Sequence, residues 1–173
     1  MSNYNKPIAK AKFYLPDWID ARVTAIQSNS LPIFRVGYWN ELREINSNVS
    51  RATSNKYPIV YLPVNFTYNF LNSSSFFEAN FELYIITSSN KNYSYDSRLD
   101  SVIKTTLEPI YTDLIEEIRD NEYLKRNDRV INHEKEYLTF DKGQSQNQNQ
   151  LNEVIEAIHL TFNSFEFNNL QNL

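Results

Sequence analysis

His133-Glu134-Lys135-Glu136 is the one short stretch whose side chains could ligate a metal, with His159 as a distant second histidine. Zinc takes imidazole and carboxylate ligands, but three or four of them must converge on one point. A strand through these residues sends neighbouring side chains to opposite faces, so His133 and Glu134 would not converge. The pattern predicts a polar sheet surface; a small metal-dependent hydrolase using His133, Glu134, Glu136 and His159 is the competing reading. Asp113, Glu116, Glu117 and Asp120 could in principle pair as general acid and base. That chemistry requires burial or crowding of like charge. These four carboxylates instead lie on the outer side of a helical pattern, interleaved with Arg119, Lys125 and Arg126. Ser73–Ser75 and Ser88–Ser89 offer hydroxyls without a nearby histidine to activate them.

Other chemistries lack their residues altogether. The chain has no cysteine, which removes disulfides, thiol nucleophiles and cysteine-ligated metals. Its only glycines are Gly37 and Gly143, so a dinucleotide fingerprint, a phosphate-cradling loop and a nucleophile elbow are excluded. No cofactor and no metal is implied. With 173 residues, 41% of them hydrophobic and 14% aromatic, the composition fits one domain with a single core. A net charge of −4 gives no general reason to bind nucleic acid. No run reaches membrane-spanning length, and Met1-Ser-Asn-Tyr-Asn-Lys has no apolar signal core, which predicts a soluble, unprocessed chain.

The elements that must position these residues follow from hydrophobic spacing. Phe77, Ala79, Phe81, Leu83 and Ile85 alternate with Glu78, Asn80, Glu82 and Tyr84, the two-residue period of a half-buried strand. After a polar break at Thr87–Ser97, the residues Leu99, Val102, Ile103, Leu107, Ile110, Leu114 and Ile118 take helical spacing, with a kink expected at Pro109. Asp17 is a candidate cap for a helix through Trp18, Ile19, Val23 and Ile26. Ile33–Trp39 and Ile59–Leu62 read as strands, the second at an edge or ending at its flanking Pro58 and Pro63. Asn40–Asn55 suits a short helix or a wound loop, and Asn65–Ser75 a hairpin connection. Arg129–Phe140 alternates weakly as a strand. Leu151–Phe162 fits either helix or strand, and its periodicity favours helix through Ile155 and strand afterwards. Residues 1–16 read as an N-terminal arm and 17–173 as one domain, with a polar Gln/Asn loop over 141–152. Tyrosines such as Tyr57, Tyr61, Tyr84 and Tyr111 suit packing and interfaces alike.

Tyr57-Pro58-Ile59-Val60-Tyr61-Leu62-Pro63, the strand to Ile86, Arg98 before a helix, Leu107-Glu108-Pro109-Ile110-Tyr111 and Ala157–Phe162 occur in that order. Together, over about Ile33–Phe167, they resemble the tail-completion and neck proteins of tailed bacteriophages, the crAss-like group in particular. The resemblance implies an α+β fold: a small antiparallel sheet with two main helices on one face, plus an extended arm. It also implies that Ala157–Phe167 is mainly strand. Such a protein is a structural virion component of the neck or tail, assembled in the host cytoplasm, and not an enzyme. Six or twelve copies form a ring that contacts the portal or adjacent ring proteins, around DNA that passes without sequence-specific binding. A tail-terminator ring capping the tail tube is the alternative. On this reading Tyr4, Phe13, Tyr14, Tyr68, Phe70, Tyr93, Tyr95 and Arg98 are the candidate interface residues, and no membrane is involved.

Overall fold

Two long strands carry the fold in a computed structural model that describes residues 13–26, 32–38, 57–70, 76–90, 92–120, 131–140 and 153–168. In chain order the elements are α1 (Leu15–Ala25), β1 (Ile33–Gly37), β2 (Ile59–Pro63), β3 (Thr67–Phe70) and β4 (Phe76–Asn90). A single helical turn α2 (Tyr95–Arg98) then leads through a π-helical segment, Leu99–Leu107, into α3 (Glu108–Arg119). Strands β5 (Glu134–Phe140) and β6 (Glu153–Asn168) complete the chain. The expected arm before Phe13, the Asn40–Asn55 segment and the Gln144–Gln150 tract lie outside the described residues.

The sheet order is β1-β2-β4-β6-β5, with β3 paired to β4 beside β2. The fold is α+β, as the resemblance implied. One pair, β1 with β2, is parallel, so the sheet is mixed rather than wholly antiparallel. Pro58 and Pro63 do bound β2, but the strand is interior, between β1 and β4. Pro58 precedes the first paired residue and Pro63 is the last, where a missing N–H interrupts little of the ladder.

β4 and β6 pair antiparallel from Phe76 opposite Asn168 to Asn90 opposite Glu153. The strand therefore passes straight through the predicted break at Thr87. Thr87 and Ser89 are buried, and their register partners are Glu156 and Val154. Glu153–Ile155 is likewise strand and not helix. Ladder bonds to β4 override a helical spacing that was only local. A bulge interrupts this ladder between Ala79 and Phe81. On the β6 side, Ser164 adopts φ 51°, and its N–H donates to Asn80 Oδ1 at 2.7 Å. The extra residue restores parity: Phe162 and Phe165, three apart, both reach the same face of the sheet.

That face holds the main core. Val60, Leu62, Phe77, Phe81, Leu83, Ile85, Ile158, Leu160, Phe162 and Phe167 pack beneath Leu15, Ile19 and Val23 of α1 and Leu107, Ile110, Leu114 and Ile118 of the longer helix. Rings dominate one end. Phe81 stacks on Phe162 with centroids 4.5 Å apart, and Phe77 on Phe167 at 5.2 Å. Both main helices thus lie on one side. The opposite face buries a smaller cluster of Ile59, Tyr61, Tyr84, Ile86, Ile155 and Ala157.

Local chemistry sets the helix ends. Asp17 is not the cap of α1: the helix begins at Leu15, with Tyr14 at the cap position and Asp17 inside the first turn. The Leu15 N–H, which has no partner within the helix, donates to the Tyr68 hydroxyl at 3.0 Å. Near Pro109, where the sequence predicts a kink, the structure shows a change in hydrogen-bond register. Glu108 N–H donates to Ile103 O, five residues back, and α-helix starts there with proline in its first turn. Proline's missing donor is harmless in that position.

Replacing Phe162 with alanine removes a ring buried from solvent at the centre of this face. We expect Phe162→Ala to lower the unfolding free energy by about 3–5 kcal/mol in urea titration. A loss below about 1 kcal/mol would contradict this account of the core.

Candidate assembly surface and the polar clusters of the sheet

The residues with chemical potential are distributed over three separate clusters. On the helix face, Lys135 Nζ donates to both Glu108 carboxylate oxygens at 2.8 Å and lies 3.8 Å from the Tyr111 ring centroid. The Tyr137 hydroxyl donates to the same carboxylate. Tyr111 Oη lies 3.0 Å from His133 Nε2, and His133 Nδ1 lies 3.1 Å from Ile131 O. The His133 ring also stacks on Phe162. Apart from the local His133–Ile131 contact, these interactions tie β5, or the residues just before it, to α3 and the core. The cluster therefore acts as a latch on an edge strand.

A second cluster sits toward the other end of the same face. Glu156 is only 1% exposed, with Arg98 Nε 3.4 Å from one carboxylate oxygen and the Thr139 hydroxyl donating to the other at 2.7 Å. A buried carboxylate is tolerated when a cation and a hydrogen bond compensate it. Ser94 supports the arrangement by capping α2, its Oγ accepting from Ser97 N–H at 3.2 Å. Arg98 is thereby held inward.

The third cluster lies on the outer face and crosses three strands. His159 on β6 is flanked by Glu82 on β4, 3.3 Å from Nε2, and by Glu136 on β5, 3.6 Å from Nδ1. Tyr84 stacks on the imidazole at 4.3 Å and donates its hydroxyl to Glu82 at 2.9 Å. Burial, then the hydrogen bond to Glu82, drives the Tyr84 phenol well above its ordinary value of 10.0. Burial followed by the bond to Glu108 also raises the Tyr137 phenol above its ordinary value. For Lys135, burial works downward, but the bonds to Glu108 and Tyr137 outweigh it and the ammonium titrates higher than usual.

These positions separate the residues of the competing metal reading. Glu136 and His159 meet on the outer face, and Glu134 is in register with Thr161 on that same side. His133 faces the helices. Among the described residues no group of three or more histidines and carboxylates could hold a metal ion. Asp113, Glu116, Glu117 and Asp120 line the exposed or half-exposed side of α3 and its end.

The candidate interface residues divide likewise. Phe13 packs among Trp18, Tyr68, Phe77 and Phe167, at 4.6 Å from the last, and so belongs to the core. Tyr68 is half-buried beside it and accepts from Leu15. Phe70 ends β3 opposite Phe77; Tyr4 lies outside the described residues. Tyr14, Tyr93 and Tyr95 are exposed, Tyr95 at 69%. Sequence reasoning missed Val36, Tyr38, Tyr137 and Phe140 as exposed hydrophobic groups. They sit in or beside the two outermost strands, and only the sheet order reveals that. The pairing of Glu156 had a fainter signal, a lone carboxylate within Val154-Ile155-Glu156-Ala157-Ile158.

No helix among the described residues is long and apolar enough to cross a membrane. Comparison with protein-family models and with curated proteins finds no match.

Two measurements check these clusters. Arg98→Met strands a buried carboxylate and should cost about 1–3 kcal/mol, while adding Glu156→Gln should recover part of the loss in a double-mutant cycle. Additive losses would show that the pair does not interact. Because Tyr84, Tyr137 and Lys135 all titrate above their unfolded values, the folded state holds protons that the unfolded chain releases. Their contribution is complete below the unfolded values and is lost as pH rises through the folded ones. The urea midpoint should therefore fall as pH rises above about 10, and less steeply in Tyr84→Phe.

Proposed function

We propose that this chain is a structural virion protein, the subunit of a homo-oligomeric ring in the neck of a tailed bacteriophage, joining portal to tail around the DNA channel. Function here is recognition of surfaces: each copy fits its neighbours, and the ring encloses DNA without reading its sequence. The observation that carries this reading is the distribution of exposed aromatic and aliphatic groups. Val36 and Tyr38 flank one edge of the sheet, Tyr137 and Phe140 the other, and Tyr93 and Tyr95 the turn before the long helix. Large side chains in water at both opposite edges of the sheet suit a closed ring, whose heterologous interface needs two different surfaces on each copy. The resemblance in sequence order from Tyr57 to Phe162 supplies the viral context. The acidic balance of the chain suits a channel through which DNA must slide.

Light scattering on the purified chain should give the mass of a closed oligomer, six or twelve copies being the values the resemblance implies. A monomer at the highest attainable concentration would count against the proposal. An arm deletion must stop before Phe13, because Phe13 and Leu15 belong to the core. Removing residues 1–12 should weaken the oligomer while leaving the circular dichroism spectrum of the domain unchanged.

A further inference from the structure

The two edges of the sheet are complementary in direction, face and charge. β1 pairs only with β2, and β5 only with β6, among the described residues. Following the pairings across the sheet, β1 runs parallel to β2, β2 antiparallel to β4, β4 to β6 and β6 to β5. The outermost strands therefore run in opposite directions. Two copies set side by side in the same orientation would bring β5 of one against β1 of the next as an antiparallel pair.

The faces also agree. In β1, Phe34 packs on the main core, so Phe34 and Val36 point to the helix side while Ile33 and Arg35 point to the outer side. In β5, Lys135 and Tyr137 face α3, while Glu134, Glu136 and Leu138 face outward. A register with Arg35 opposite Glu136 places Phe34 opposite Tyr137 and Ile33 opposite Leu138. All three pairings keep each side chain on its own face. They give one opposite-charge pair, one aromatic pair and one aliphatic pair, the combinations that stabilise neighbouring strands.

Charge also selects against the symmetric alternatives. Two β5 edges brought together would confront Glu134 and Glu136 with their own copies, and two β1 edges would confront Arg35 with Arg35. Lys135 does not neutralise this outer side, because Glu108 holds it on the helix face. Edge strands commonly carry charge to deter pairing. Here each edge repels its own kind and attracts the other, which is what a head-to-tail ring requires.

We propose that β1 of one copy adds to β5 of the next, so that the sheet continues from subunit to subunit around the ring, with Arg35 and Glu136 fixing the register. The inference rests on the ring reading above and identifies the surface that closes it. The five-residue β1 sets the length of the shared ladder, and the latch of Glu108 on Lys135 and Tyr137 holds β5 in place to receive it.

Charge reversal in the full chain tests the pairing. Arg35→Glu or Glu136→Arg alone should raise the concentration needed for assembly at least tenfold by light scattering, and the two together should restore it. Circular dichroism controls for folding. A second readout uses the absence of native cysteine. Arg35→Cys with Glu136→Cys in one chain should oxidise to a ladder of covalent multimers on a non-reducing gel, whereas either cysteine alone should give at most dimers. An oligomer of full size that tolerates both single reversals and yields no ladder would overturn the edge pairing and leave the ring reading standing. A wild-type chain that stays monomeric, together with a double-cysteine variant that yields no ladder, would overturn both.

Discussion

The ladder between β4 and β6 is the constraint on which everything else depends. It is the longest pairing among the described residues, and it places the rings of Phe77, Phe81, Phe162, Phe165 and Phe167 on one face beneath both main helices. That placement requires the extra residue at Ser164. Without it, the side chains beyond the bulge would swap faces, and Phe165 and Phe167 would leave the core for water. A single left-handed residue, held by Asn80, thus decides whether the aromatic end of the core exists. The cost of that conformation in a serine is small beside the area the rings bury.

Once the central ladder is fixed, the polar side chains have defined work. Glu108, Lys135 and Tyr137 tie β5 to α3, and Arg98 with Thr139 compensates Glu156 where β6 begins. On the outer face, Glu82, His159 and Glu136 link three adjacent strands. These groups could have been read as catalytic from their types alone. Their geometry spends them on one another, mostly in fastening an edge strand that has only one neighbour among the described residues. An edge strand so fastened is well suited to meet a partner, because little ordering remains to be done on binding.

Much of this was legible in the sequence wherever pattern and tertiary context agreed. The alternation from Phe77 to Ile85 gave a strand, and the spacing from Leu99 to Ile118 gave a helix, because each buries one face against the same core. The sequence misled where the partner lay far along the chain. Thr87–Asn90 looked like a break and Glu153–Ile155 like helix, yet each is strand because the other pairs with it. Phe13 and Tyr68 looked free to bind a partner, but they are drawn into the ring cluster around Phe77 and Phe167. Strand order was also beyond reach, and with it the fact that Arg35 and Glu136 stand at opposite ends of one sheet. Pairings between distant segments leave no local periodicity to read.

On the reading proposed above, the chemistry of this protein is used for fit. Its main core is rich in aromatic rings, three clusters of ionisable groups are paired with one another, and four of its exposed hydrophobic groups sit in or beside the two complementary edges. Amide hydrogen exchange at assembling and at dilute concentrations addresses this most directly. The account predicts that amides of Ile33–Gly37 and Glu134–Phe140 slow markedly on assembly, while those of β4 and β6 are slow in both conditions. Equal exchange of both edges at every concentration, with any slowing confined to other segments, would contradict it.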